Sequence, residues 1–177
     1  MATSSNNTRD LRPWLLLVSA AVIAVDRLTK LWVEKNITLG PGKIIIPNVF
    51  RISHVLNTGA AFSMFADSSG NTVKMALIAF SAVVTLIILG MIYRVGRRPS
   101  LTSFGLALIL GGAIGNLYDR IVYAHVVDFL AVRIVHYDWP DFNIADSAIC
   151  IGAGLLLIEI FRPQSPLDNP PTDEPVL

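Results

Sequence analysis

Nineteen residues from Met75 to Tyr93 carry no charged side chain. A run of that length crosses the ~30 Å hydrocarbon core of a bilayer as a helix, at ~1.5 Å per residue. Ser100–Tyr118 is a second uncharged run of similar length. Lipid offers backbone amides no partners, so each run must satisfy its hydrogen bonds internally, as a helix does. Composition agrees: 53% of the residues are hydrophobic and the mean hydropathy is +0.59, both above the soluble norm. The chain reads as one small integral membrane domain.

Two further spans follow from the flanks. Pro13–Val25 is apolar and Leu31–Val33 extends it, with Asp26, Arg27 and Lys30 between. Arg9 and Arg12 ahead of an apolar core also fit a secretory signal. The helical pattern continues past Asp26, however, and no small-x-small cleavage site follows, so a first span over 13–34 is the better reading. The last apolar run, Phe142–Ile160, is interrupted by Asp146 and Glu159. The expected spans are therefore 13–34, 73–93, 100–120 and 142–162, with a polar tail over 1–12 and a proline-rich one over 163–177. Arginine density sets the orientation. Arg9, Arg12, Arg94, Arg97, Arg98 and Arg162 fall on the terminal side, against Lys35, Lys43, Arg51 and Arg133 in longer segments opposite. Both termini and the 94–99 connection are expected in the cytoplasm, with 35–72 and 121–141 outside.

The segment 35–72 changes character. Gly40, Pro41, Gly42 and Pro47 are turn formers, and they bracket Ile44–Ile46 and the period-two series Phe50, Ile52, His54, Leu56. Short strands outside the membrane are expected here, since an open sheet edge cannot face lipid. Gly59, in the run Asn57–Ser63, suits a tight turn. Residues 121–141 are expected to form a loop. The predicted fold is an all-α membrane protein with a small β element: four transmembrane helices plus a short extracytoplasmic β-sheet. Gly105, Gly111, Gly112 and Gly115 would let neighbouring helices approach closely.

A formal net charge of +1 gives no basic surface for nucleic acid. The single cysteine, Cys150, excludes an internal disulfide and any CxxC motif. Ile149 ahead of it is unlike the small residue of a lipobox. The three histidines lack ligand spacing, so no metal is expected. Ionisable groups within a span cost several kcal/mol unless paired or hydrated, which marks them for function. Asp26 and Lys30 are four apart and can pair. Asn116, Asp119 and Arg120 share one helical face, and together with Asp26 and Lys30 they read as a polar brace. Asp128 has no basic neighbour in sequence. Asn143 and Asp146 are three apart on the first turn of the last helix, where the dipole favours an acid. Alone, Asp146 also reads as a first-turn acid and Asp128 as an exposed loop acid. If the two meet, like charges away from water share a proton. Such a pair activates water against an amide: one acid takes the proton while the other polarises the carbonyl.

Five blocks carry a family resemblance: AspArgLeuThrLys (26–30), AsnThrGlyAlaAlaPheSer (57–63), GlyAsnLeuTyrAspArg (115–120), ValValAspPhe (126–129) and PheAsnIleAlaAspSerAla (142–148). In order and spacing they resemble the lipoprotein signal peptidases, the type II signal peptidases of bacteria. The resemblance implies a membrane-embedded aspartyl endopeptidase of the bacterial inner membrane. Such an enzyme cuts prolipoproteins just before a cysteine that already carries diacylglycerol. It implies Asp128 and Asp146 as the catalytic pair, and a surrounding shell of Asp26, Lys30, Asn57, Asn116, Arg120 and Asn143; Gly59 and Asp119, from the same blocks, are expected as further supports. It further implies a sheet that cradles substrate near the extracytoplasmic face, neither metal nor organic cofactor, and prolipoprotein as substrate; membrane lipid as a partner and a monomeric state are expected separately.

Two readings of other classes compete. A proton-coupled transporter would place acids near mid-bilayer and show repeat symmetry, and neither pattern is present in the sequence. A non-catalytic scaffold would keep its function with Asp128→Asn or Asp146→Asn.

Overall fold

The computed structural model describes residues 10–59, 71–97 and 99–162. Helix α1 spans Arg12–Asn36, α2 Asn71–Val95, α3 Leu101–Val122 and α4 Ile144–Ile160. Strands β1 (Gly40–Ile46) and β2 (Phe50–Asn57) follow α1. Strands β3 (Val126–Ile134) and β4 (Tyr137–Asp138) lie between α3 and α4.

Helix α3 is the hub and packs against the other three helices. Leu15 of α1, Ile88 and Ile92 of α2, and Leu106, Ala107 and Leu110 of α3 form the buried apolar cluster. Close approach depends on bare backbone. A Cβ on Gly111 would come within 2.8 Å of the Ser19 carbonyl, and one on Gly105 within 2.7 Å of the Gly152 carbonyl. The outer faces stay apolar and uncovered, as with Phe80, Leu86 and Ile87 on α2. Two of the described helices, over Lys74–Val95 and Leu101–Val122, are long and apolar enough to cross a membrane. Helix α4 stops at 17 residues, and the second half of α1 carries Asp26, Arg27 and Lys30.

The four strands form one antiparallel sheet in the order β1-β2-β3-β4. The segment 121–141, expected as a loop, thus supplies half of the sheet. The sequence conceals this because ValValAspPheLeuAlaValArgIle runs nearly continuously apolar instead of alternating. Its residues face helices on one side and β2 along the edge. Val33, Val127 and Phe129 form a second buried cluster that ties the sheet to α1. Gly40 and Gly42, read as turn formers, lie inside β1 with φ of +117° and +69°. The register aligns Val55 with Asp128 and Asn57 with Val126. The Phe142 carbonyl accepts from the amides of Phe129 and Leu130, and the Phe142 amide donates to Leu130. That bridge pins the entry to α4 against β3, and so brings Asp146 towards Asp128.

Candidate active site

Asn143 caps α4. Its Oδ1 accepts the Asp146 amide at 2.9 Å, and Asp146 Oδ2 accepts the Asn143 amide at 3.3 Å. This reciprocal capping box satisfies two amides that a helix start leaves orphaned. It also fixes the Asp146 carboxylate at the first turn, where the helix dipole favours negative charge. Asn116 Nδ2, from α3, donates to the other oxygen at 2.8 Å.

Asp128 comes from β3 and is 2% exposed. Asn57 Nδ2 donates to its Oδ2 at 2.9 Å, and Asn143 Nδ2 to its Oδ1 at 2.7 Å. Asn143 therefore touches both acids, through its side chain and its backbone. Burial pushes the Asp128 carboxyl up to about 7, and the nearby Asp146 charge adds to the rise. The donors from Asn57 and Asn143, and the Lys30 charge, offset part of it. Desolvation disfavours the ionised form, and a like charge disfavours it further. The acid is thus neither exposed nor in a loop.

Beside the pair lies a buried ionic cluster. Lys30 Nζ contacts Asp26 Oδ2 at 2.8 Å, Asp119 Oδ2 at 2.6 Å and Asn116 Oδ1 at 3.1 Å. Lys30 is completely buried, so only its paired acids make the charge tolerable. The other Asp26 oxygen accepts the Ala145 amide at 3.0 Å, which anchors the start of α4 to α1. Asp119 also meets Arg27 at 3.5 Å, a residue the sequence reading left unassigned. Arg120 donates to the carbonyls of Asn116 and Gly59 at 3.2 and 3.3 Å. Its buried Nε has no partner among the described residues. Gly59 donates its amide to Asn57 Oδ1 at 2.9 Å, while residues 60–63 of that block lie outside the described residues.

Asp128, Asp146, Asn57, Asn116 and Arg120 line one cavity of about 390 Å³. The sequence reading missed the rest of the wall: Val126, Trp139, Asp141, Phe142, Ser147, Ile149 and Cys150. Ile149 and Cys150 lie three and four residues beyond Asp146, so helical spacing alone could have put them on its face. Its lining combines acidic and amide side chains with the apolar Val126, Trp139, Phe142 and Ile149.

Residues 18–162 match a family model described as signal peptidase (SPase) II. A lipoprotein signal peptidase of Pseudomonas syringae pv. tomato is 41% identical over 166 residues, covering 91% of this chain and 92% of the relative. One from Solibacter usitatus is 38% identical over 160 residues, covering 90% and 98%. Among solved structures, a bacterial membrane enzyme determined in meso at 1.9 Å resolution superposes with a TM-score of 0.68. It shares 29% identity over 86% of this chain and 95% of its own.

Proposed function

The chain belongs to the signal peptidase II family, and on that premise we propose that it is an intramembrane aspartyl endopeptidase. Its substrate is a diacylglyceryl-modified prolipoprotein, cut just before the lipidated cysteine. Asp128 and Asp146 are the catalytic pair, supported by Asp26, Lys30, Asn57, Gly59, Asn116, Asp119, Arg120 and Asn143. One observation carries the reading: two carboxylates share a single cavity, one buried and half-protonated near neutrality, the other at a helix N-terminus.

That asymmetry divides the labour. Asp128, whose carboxyl burial raises to about 7, holds the shared proton, and Asp146 takes the role of general base. A water between them gives its proton to Asp146 as it attacks the scissile carbonyl, while Asp128 donates a hydrogen bond to the carbonyl oxygen. On collapse, the proton on Asp146 passes to the leaving amine, the amino group of the lipidated cysteine. Asn57, Asn116 and Asn143 hold the carboxylates through their amide hydrogens, so their role is to position the acids. Arg120 is the cation on the cavity wall, and its Nε, which has no partner among the described residues, is offered as a donor to a substrate carbonyl. Excluding water around the pair strengthens each of these contacts.

In this reading all four helices span the bacterial inner membrane, and both termini lie in the cytoplasm. The cavity that holds the two acids then opens near the outer face, where a signal-peptide helix presents its cleavage site. The working unit is a monomer in contact with lipid. The test is cleavage of a diacylglyceryl-prolipoprotein by the purified full-length protein in detergent, beside Asp128→Asn and Asp146→Asn variants of verified fold. Cleavage before the cysteine, with at least about a thousandfold loss in each variant, is the expected result. Wild-type rates in both variants would refute the pair.

A further inference from the structure

A second cavity, of about 110 Å³, lies over the sheet between Ile44 and Ile46 of β1, Phe50 and Arg51 of β2, and Arg133 and Trp139 around β3 and β4. At ~30 Å³ per water it would take roughly four waters, or one small side chain. It adjoins the cavity that holds the two acids. Trp139 lines both, and Asp141, on the wall of the larger one, faces Arg51, on the wall of the smaller, at 3.9 Å.

The charges there are unequal. Arg133 is satisfied, with Nε and Nη2 each donating to Asp138 at 2.7 Å. Arg51 is not: its ion pair is long, and its buried Nε has no partner among the described residues. The Arg51 side chain is 37% exposed, so a guanidinium held by one long ion pair can turn its terminal nitrogens to an incoming acceptor. We propose that this second cavity is a binding subsite for the side chain immediately after the lipidated cysteine, and that Arg51 makes it selective for an acidic or hydrogen-bond-accepting residue over a basic one. The assignment rests on the peptidase reading above. A substrate whose signal helix occupies the membrane has its mature segment leaving over the sheet. Trp139 and the Arg51–Asp141 pair mark the contact between the two cavities along that way out.

The test uses the full-length protein in detergent with diacylglyceryl prolipoprotein peptides that differ only in the residue after the cysteine: Asp, Ser or Lys. We expect kcat/KM for the Asp peptide to exceed that for the Lys peptide about five- to tenfold, carried mainly by KM. Arg51→Gln is expected to bring that ratio to within about twofold, while Arg51→Lys retains most of it, which a general loss of fold cannot do. Equal kcat/KM for the Asp and Lys peptides, or an unchanged ratio in Arg51→Gln, overturns the subsite and leaves the peptidase reading standing. Failure to cut any peptide overturns both.

Discussion

The protonation of Asp128 can be measured without any substrate. Its carboxyl rises from 3.8 to about 7, chiefly because the side chain is buried and secondly because Asp146 is close. At ~1.36 kcal/mol per pH unit, the rise corresponds to roughly 4 kcal/mol between folded and unfolded states. The folded state then holds a proton that the unfolded chain releases near pH 4. Stability should therefore fall as pH climbs from about 4 to about 7, by up to that ~4 kcal/mol, and level off above. Infrared difference titration of the protonated-carboxyl band, with Asp128→Asn to identify it, should give a midpoint near 7. In Asp146→Asn the midpoint should drop but stay above 3.8, because removing the neighbouring charge leaves the burial intact. A wild-type band titrating near 4 would refute the desolvation reasoning. A return to the ordinary range in Asp146→Asn would show that repulsion, not burial, holds the proton. In cleavage assays the alkaline limb should fall near 7 as a property of the coupled pair.

Lys30→Met leaves Asp26 and Asp119 buried without their shared cation, and should cost about 3–5 kcal/mol in thermal unfolding; an unchanged Tm would show that the cluster is hydrated. A Cβ on Gly112 would collide with the Ala145 carbonyl and come within 2.8 Å of Ile149 Cγ1. Gly112→Ala should therefore cost about 1–3 kcal/mol and slow cleavage by shifting the start of α4. Gly154→Ala, with nothing within 4 Å, should gain about 0.5–1 kcal/mol, and equal effects at both sites would count against tight packing. Val135 has φ of +57° in the β3–β4 turn and is 80% exposed. Because a β-branched residue is strained there, Val135→Asn should raise stability by about 1 kcal/mol, read as a higher unfolding midpoint in detergent.

The helices were legible in their long apolar runs, whereas the five blocks were picked out by their resemblance to a family and not by any periodicity of their own. The pairing of Asp26 with Lys30 followed from i,i+4 spacing, but the three-way contact of Lys30 with Asp119 and Asn116 required the packing of α3 on α1. Strand β3 was hidden because burial against helices removes the alternation that marks a half-exposed strand. With it was hidden the burial of Asp128, which decides its charge. The Trp139 and Asp141 walls were hidden too, since the β3–β4 pairing, the Trp139 amide's bond to the Val132 carbonyl and the Phe142 bridge to Leu130 place them. Arg27 escaped notice because its partners, Asp119 and Tyr123, are about ninety residues away in sequence.

The three asparagines explain how the acids can be held firmly without being neutralised. Each amide has its oxygen occupied by a donor that cannot reverse: the Gly59 amide for Asn57, the Lys30 ammonium for Asn116 and the Asp146 amide for Asn143. None of those donors can accept a hydrogen bond in exchange, so each NH₂ group is left pointing at a carboxylate. Two of the three orientations are local, set within Asn57–Gly59 and Asn143–Asp146, and Lys30 imposes the third from another helix. Neutral donors fix the acids' geometry with less pull on the proton than a cation at the same distance would exert, since charge-assisted hydrogen bonds are roughly twice as strong as neutral ones. The one buried ammonium nearby spends its charge on Asp26 and Asp119 and reaches Asp146 only through the Asn116 amide. This separation leaves burial as the largest influence on the Asp128 carboxyl, which rises to about 7.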